Sequence, residues 1–156
     1  MNMVNHMNKR LDTFLELSVA LTGFDRLHLI STGVGPEYLA ALDDIISTAG
    51  ADALLQAFST LPATDDGTLL VGTILDDATL GPVARNLTVL WYTGTWTQMP
   101  EAWRAANAHS ARDTAHVVSA ASYLAGLQWS AIGAHPAGAL PPGFGSWALP
   151  PLGVEA

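Results

Sequence analysis

The sequence predicts an all-α fold, with about six helices in one compact domain followed by an extended arm rich in proline and glycine. Apolar residues recur at three- and four-residue intervals through most of the first part of the chain, which is typical of amphipathic helices. Glycines and prolines stand where these patterns stop. The 156 residues therefore divide into a flexible lead over 1–8, a helical domain over 9–132 and the arm over 133–156.

The first predicted helix runs from Lys9 to Thr22, and Gly23 ends it. Apolar residues cover most of its circumference, so we expect it to be buried. Residues 25–35 are interpreted as a connector. A second helix begins at Pro36, because the first helical turn tolerates proline. Its apolar face is the clearest in the chain and consists of Tyr38, Leu39, Leu42, Ile45 and Ile46.

A third helix is predicted over 51–61, and Pro62 stops it. A short helix is expected over 69–74. The next helix begins with Thr79 as its N-cap and ends at Gly94. Its inward face is expected to consist of Val83, Leu87, Leu90 and Trp91.

The segment over 89–97 is β-branched and aromatic, so a strand is the alternative to a helix that ends at Gly94. After Pro100, a short helical piece carries Trp103. The last long helix is predicted over 114–132, and Gly133 terminates it. No internal repeat and no second domain boundary is visible.

The arm over 133–156 alternates prolines with glycines, so no regular element is expected there. It could be a disordered tail or an arm that lies on a partner. Disordered tails are usually charged and poor in aromatic residues. This segment contains Phe144 and Trp147, and its only charge is Glu155. The composition therefore favours an arm anchored by its aromatic side chains.

The charge balance excludes several classes of protein. Acidic residues outnumber basic ones 14 to 6, which gives a net charge of −8 and disfavours nucleic acid and anionic lipid as partners. The absence of cysteine excludes disulfides, thiolate metal sites, iron–sulfur clusters and covalent haem attachment. No apolar run approaches the roughly 18–20 residues that span a bilayer.

Charged residues make up only 13% of the chain, whereas about 25% is usual for a soluble domain. One interpretation is a weakly polar surface that a partner protein covers. The alternative is a composition rich in alanine and glycine that lowers the charged fraction without forming an apolar patch.

One group of residues has metal-ligand chemistry: His109, Asp113 and His116 would share a face if the last helix began early enough. The alternative is a solvated helix start, where Asp113 favours the helix dipole. Other patterns are weaker. The Gly33-Val34-Gly35 sequence lacks the third glycine of a dinucleotide loop. Adjacent aspartates do not face each other on a helix, so solvated faces and caps explain the pairs Asp43–Asp44, Asp65–Asp66 and Asp76–Asp77.

Five segments in order carry a resemblance to a known family: Phe14 to Phe24, Tyr38 to Leu42, Trp91 to Gly94, Tyr123 to Trp129, and Pro142 to Pro151. They resemble the small subunit of membrane-bound, FAD-dependent sugar and polyol dehydrogenases, the fructose, D-sorbitol and gluconate dehydrogenases. The first and last segments are the most specific, and together the five span most of the chain.

The resemblance implies an accessory subunit without catalytic, cofactor-binding or metal residues of its own. In that family the large subunit holds FAD and oxidises the sugar, and a third, cytochrome c subunit carries haem and passes electrons to quinone. The small subunit supports folding, maturation and export of the large one in a chaperone-like role. The implied location is the periplasmic side of the inner membrane.

The N-terminal segment departs from this family. Its small subunits commonly carry a twin-arginine export signal, but Lys9-Arg10 here contains a single arginine, and Asp12 and Glu16 interrupt any hydrophobic core. We therefore expect no export signal in this sequence, which leaves the cytoplasm open as a location.

The predicted function is thus a non-catalytic subunit that docks on a flavoprotein. The predicted docking residues are aromatic: Phe14, Phe24, Trp91, Tyr92, Trp96, Phe144 and Trp147. The alternative is a free-standing helical, metal-dependent hydrolase that uses His109, Asp113 and His116.

Overall fold

Amphipathic helices build most of the protein, as the sequence predicts. A computed structural model describes residues 2–62 and 67–136, with side chains from Asn8 onward. The elements, in chain order, are α1 (Asn2–Thr22), α2 (Arg26–Ser31), α3 (Gly35–Ile46), α4 (Thr48–Ser59), α5 (Thr68–Leu70) with a π-helical turn (Val71–Leu75), α6 (Leu80–Thr93), β1 (Thr95–Trp96), α7 (Glu101–Ala106), β2 (His116–Val117), α8 (Ala120–Ala125) and α9 (Leu127–Ala131).

Helix α1 is the central element, because α2, α3, α4 and α6 all pack against it. Phe14, Leu17 and Ser18 on its inner face have no exposed surface. The predicted inward residues of α3 and α6 are also buried, which confirms both amphipathic patterns. These faces join in one core, so the all-α prediction for the domain is confirmed.

Two segments at the start of the chain differ from the prediction. Helix α1 begins at Asn2 rather than at Lys9, so it includes residues that the sequence assigned to a loose lead. The supposed connector over 25–35 contains α2. The reason is a local cap: Asp25 Oδ1 accepts a hydrogen bond from the backbone N–H of His28 at 2.9 Å.

Ser47 separates α3 from α4 with a backbone φ of +74°, a region that L-residues rarely adopt. Its hydroxyl accepts from the N–H of Gly50 at 3.2 Å and caps α4. The third predicted helix therefore begins at Thr48 rather than at Ala51.

Helix α6 ends at Gly94 as predicted, with the glycine at φ +70°. Its start is capped differently, since Asp77 Oδ1, not Thr79, accepts from the N–H groups of Thr79 and Leu80. The β-branched and aromatic residues directly after Gly94, Thr95 and Trp96, form β1, which pairs antiparallel with β2. Both interpretations of this segment thus hold in part.

The prediction of one long helix over 114–132 is wrong. Strand β2 comes first, and Ser119 then starts α8 through a reciprocal cap with Ser122. Gly126 separates α8 from α9 with an extended ψ of 123°. A Cβ at Gly126 would lie 2.9 Å from the Tyr92 carbonyl, so the break lets the chain pass close to α6.

Of the predicted arm, only residues 133–136 lie in the described part of the chain. Phe144, Trp147 and the Asp65–Asp66 pair lie outside it. Within 2–62 and 67–136, no helix is both long enough and apolar enough to cross a membrane.

Candidate docking surface

Three of the predicted docking residues, Phe14, Trp91 and Trp96, have no exposed surface. The indole of Trp91 donates to Ser18 Oγ at 2.9 Å, and the indole of Trp96 donates to Asp113 Oδ1 at 2.9 Å. Because their surface is already buried inside the domain, these three belong to the core and do not form a docking face.

Phe24 and Tyr92 are half-buried and line the seam between α1 and α6. Their ring centroids lie 6.0 Å apart in an edge-on arrangement. The Tyr92 hydroxyl donates to the carbonyl of Thr22 at 2.9 Å. Both residues therefore join the end of α1 to the end of α6 while keeping part of their surface accessible.

The structure does not bring the three predicted metal ligands together. Asp113 is 3% exposed and accepts from Trp96 Nε1 and from the N–H of Met99, so it fastens β1 to the loop before β2. Nδ1 of His109 lies against the Asn107 carbonyl, and Nδ1 of His116 lies against the Thr114 carbonyl. The described residues contain no group of three side chains arranged to hold a metal. The helix on which the metal hypothesis depended is absent, so the geometry does not favour it.

The other weak patterns have structural roles. Asp43 pairs with Arg10, Asp44 pairs with Arg112, and Asp77 caps α6. The Gly33–Gly35 segment is the turn from α2 into α3. A cavity of about 880 Å³ lies beside α1, and Arg26 bridges Asp12 and Glu16 at its rim.

A different part of the molecule has the character of a docking surface. The C-terminal end of α6 meets the end of α1 through Tyr92 and Thr22, and it meets α8 and α9 through Gly94 and Gly126. The Gly94 carbonyl accepts from Ser122 Oγ and from the N–H of Val118, each at 3.0 Å. His28 of α2 lies against Phe24, whose ring contacts Tyr92. We call the region formed by α2 after Arg26, the last half of α6, β1, β2, α8 and α9 the uncharged end.

The name describes the distribution of charge. Residues 27–36, 86–100 and 114–154 contain no Asp, Glu, Lys or Arg. The 20 charged residues of the chain all lie outside these three segments. The fold places the described parts of these segments near one another: β1 pairs with β2, α9 packs on α6, and His28 lies against Phe24, which contacts Tyr92.

Exposed apolar side chains are concentrated on the same elements. Leu27 is 77% exposed, Ile30 is 48% exposed and Ile132 is 71% exposed. Val89, Val117 and Leu124 are also exposed, so this end carries six of the eight large apolar side chains that are exposed in the described chain. Arg26 borders this region, and Glu37 accepts a hydrogen bond from Ser119 Oγ at 3.0 Å. Large exposed apolar groups of this kind are typical of a surface that another chain covers.

The aromatic residues predicted as docking residues do not identify this region. The signal that could have found it is the spacing of charged residues along the chain, in particular the absence of charge from residue 114 to residue 154. Aromatic content does not separate core from interface, because tryptophan is enriched in both.

The comparisons with known proteins gave no match: no protein-family model, no curated protein and no solved structure matches this chain.

Proposed function

We propose that this chain is the non-catalytic small subunit that docks on, stabilises and matures the FAD-containing large subunit of a membrane-bound sugar or sugar-alcohol dehydrogenase. The five sequence segments that resemble this family suggest the partner. The observation that carries the docking role is the uncharged end, with its exposed apolar side chains. A cytochrome c subunit, FAD in the large subunit and a periplasmic position belong to the same proposal.

The energetics favour a protein partner at this end. Burial of apolar surface contributes about 25 cal/mol per Å², and a standard interface covers about 800 Å² on each partner. Most of the surface of Leu27 and of Ile132 faces water, so a partner could still bury it. No Asp, Glu, Lys or Arg on α8 or α9 would lose its hydration when a partner docks there.

The same surface fits a role in maturation. A large subunit that must bind this end presents a complementary apolar face, which would be exposed to aggregation while the subunit is alone. Docking buries both faces in one step. The subunit thereby stabilises its partner by mass action, without chemistry of its own.

Co-purification from the native host tests the proposal. A tag on the N-terminus of the full chain should capture a larger protein that has the absorbance of flavin. The captured complex should oxidise sugars or polyols in the presence of an electron-accepting dye. A chain that is purified alone, or a partner without flavin, would contradict the proposal.

A matched pair of substitutions locates the contact. Leu27→Asp places a charge on the uncharged end, whereas Leu69→Asp makes the same change at a 45% exposed leucine of α5. Loss of an interface anchor weakens binding by roughly 2 kcal/mol, about thirtyfold. We expect Leu27→Asp to capture about thirtyfold less flavoprotein than the natural chain. Leu69→Asp should capture an amount within about threefold of it. Equal capture by both variants would move the contact elsewhere.

A further inference from the structure

We draw no further inference here: the strongest candidate, the cavity of about 880 Å³ between α1, the end of α4 and α5, is bounded by Pro62 and Gly67 on either side of residues 63–66, which the structure does not describe, and nothing in the described residues shows what would occupy it.

Discussion

The two ends of α1 lie in regions that are stabilised in different ways. Near its first half, Arg10 binds both carboxylate oxygens of Asp43 at 2.8 and 3.0 Å and binds Asp52 at 2.7 Å. At its far end, main-chain and aromatic contacts join Thr22 to Tyr92, and Gly94 to Ser122. The contacts of the first region are made by charged groups, whereas those named in the second are made by uncharged groups. The proposed docking on the uncharged end depends on this difference.

The largest expected effect separates core aromatic residues from exposed apolar ones. Trp91→Ala should lower the free energy of unfolding by roughly 3–5 kcal/mol, because a fully buried indole and its bond to Ser18 are lost. Leu27→Ala should change it by less than about 0.5 kcal/mol, since Leu27 is 77% exposed. Urea unfolding of both variants measures the contrast. If Trp91→Ala lowered the free energy of unfolding only slightly, Trp91 would again be a candidate docking residue.

A pair of glycines tests how tightly the uncharged end is packed. Gly94 and Gly23 both have positive φ, but a Cβ at Gly94 would lie 2.3 Å from the Ser122 carbonyl oxygen, whereas a Cβ at Gly23 would meet nothing within 4 Å. We expect Gly94→Ala to destabilise the protein by about 3 kcal/mol and Gly23→Ala by about 1 kcal/mol. Thermal or urea unfolding gives both numbers. Equal losses would mean that α6 and α8 can separate without penalty.

At the ion pairs of Arg10 and Arg26, the expected effects are smaller and depend on salt. Hydrogen bonding to Asp43 raises the pKa of Arg10 above its ordinary value, although partial burial of the guanidinium opposes this, and Asp52 adds to the rise. Arg10→Gln should lower the stability by about 1–2 kcal/mol, because Asp43 loses its two charged donors. Arg26→Gln, at a more exposed site, should lower it by no more than about 0.5 kcal/mol.

Unfolding at low and high ionic strength measures this contrast. The difference between Arg10→Gln and the natural protein should shrink as salt screens the pairs. A loss that is equal for the two arginines, or that salt does not change, would contradict the view that the Arg10 ion pairs stabilise the fold.

The smallest effect concerns the α3–α4 junction. Ser47 holds a φ of +74° and a ψ of 151°, a combination that only glycine adopts easily. Ser47→Gly should raise the stability by about 1 kcal/mol, because relief of strain outweighs the lost cap. Ser47→Ala keeps the strain and loses the cap, so it should lower the stability by about 1 kcal/mol. The sign of the two changes in urea unfolding is the readout, and a loss for the glycine variant would refute the strain.

Periodic apolar patterns predicted α3, α4 and α6 because those patterns depend only on neighbours three or four residues apart. They did not predict α2, whose existence depends on one Asp25 cap over six residues. They also merged β2, α8 and α9 into one helix, because the close approach of Gly126 to the Tyr92 carbonyl, at the break between α8 and α9, is remote in sequence. Contacts between residues remote in sequence are not visible in a local pattern.

The candidate site was harder to predict than the fold. A composition of 13% charged residues indicated a covered surface, but it did not say where. Trp91 and Trp96 have the residue type of an interface anchor, yet their indole donors are satisfied by Ser18 and Asp113 inside the core. Only the fold shows that the uncharged segments meet at one end.

The central claim is that a flavin-containing subunit covers the uncharged end, and photo-crosslinking of the native complex tests it most directly. A photoreactive amino acid replaces Leu27 in one variant. In the other it replaces Ala53, an exposed residue of α4 next to the Arg10–Asp52 ion pair. We predict a covalent adduct with the flavin-containing subunit from position 27 and none from position 53. An adduct from position 53 alone, or no adduct from position 27 in a complex that keeps its flavin, would contradict the account.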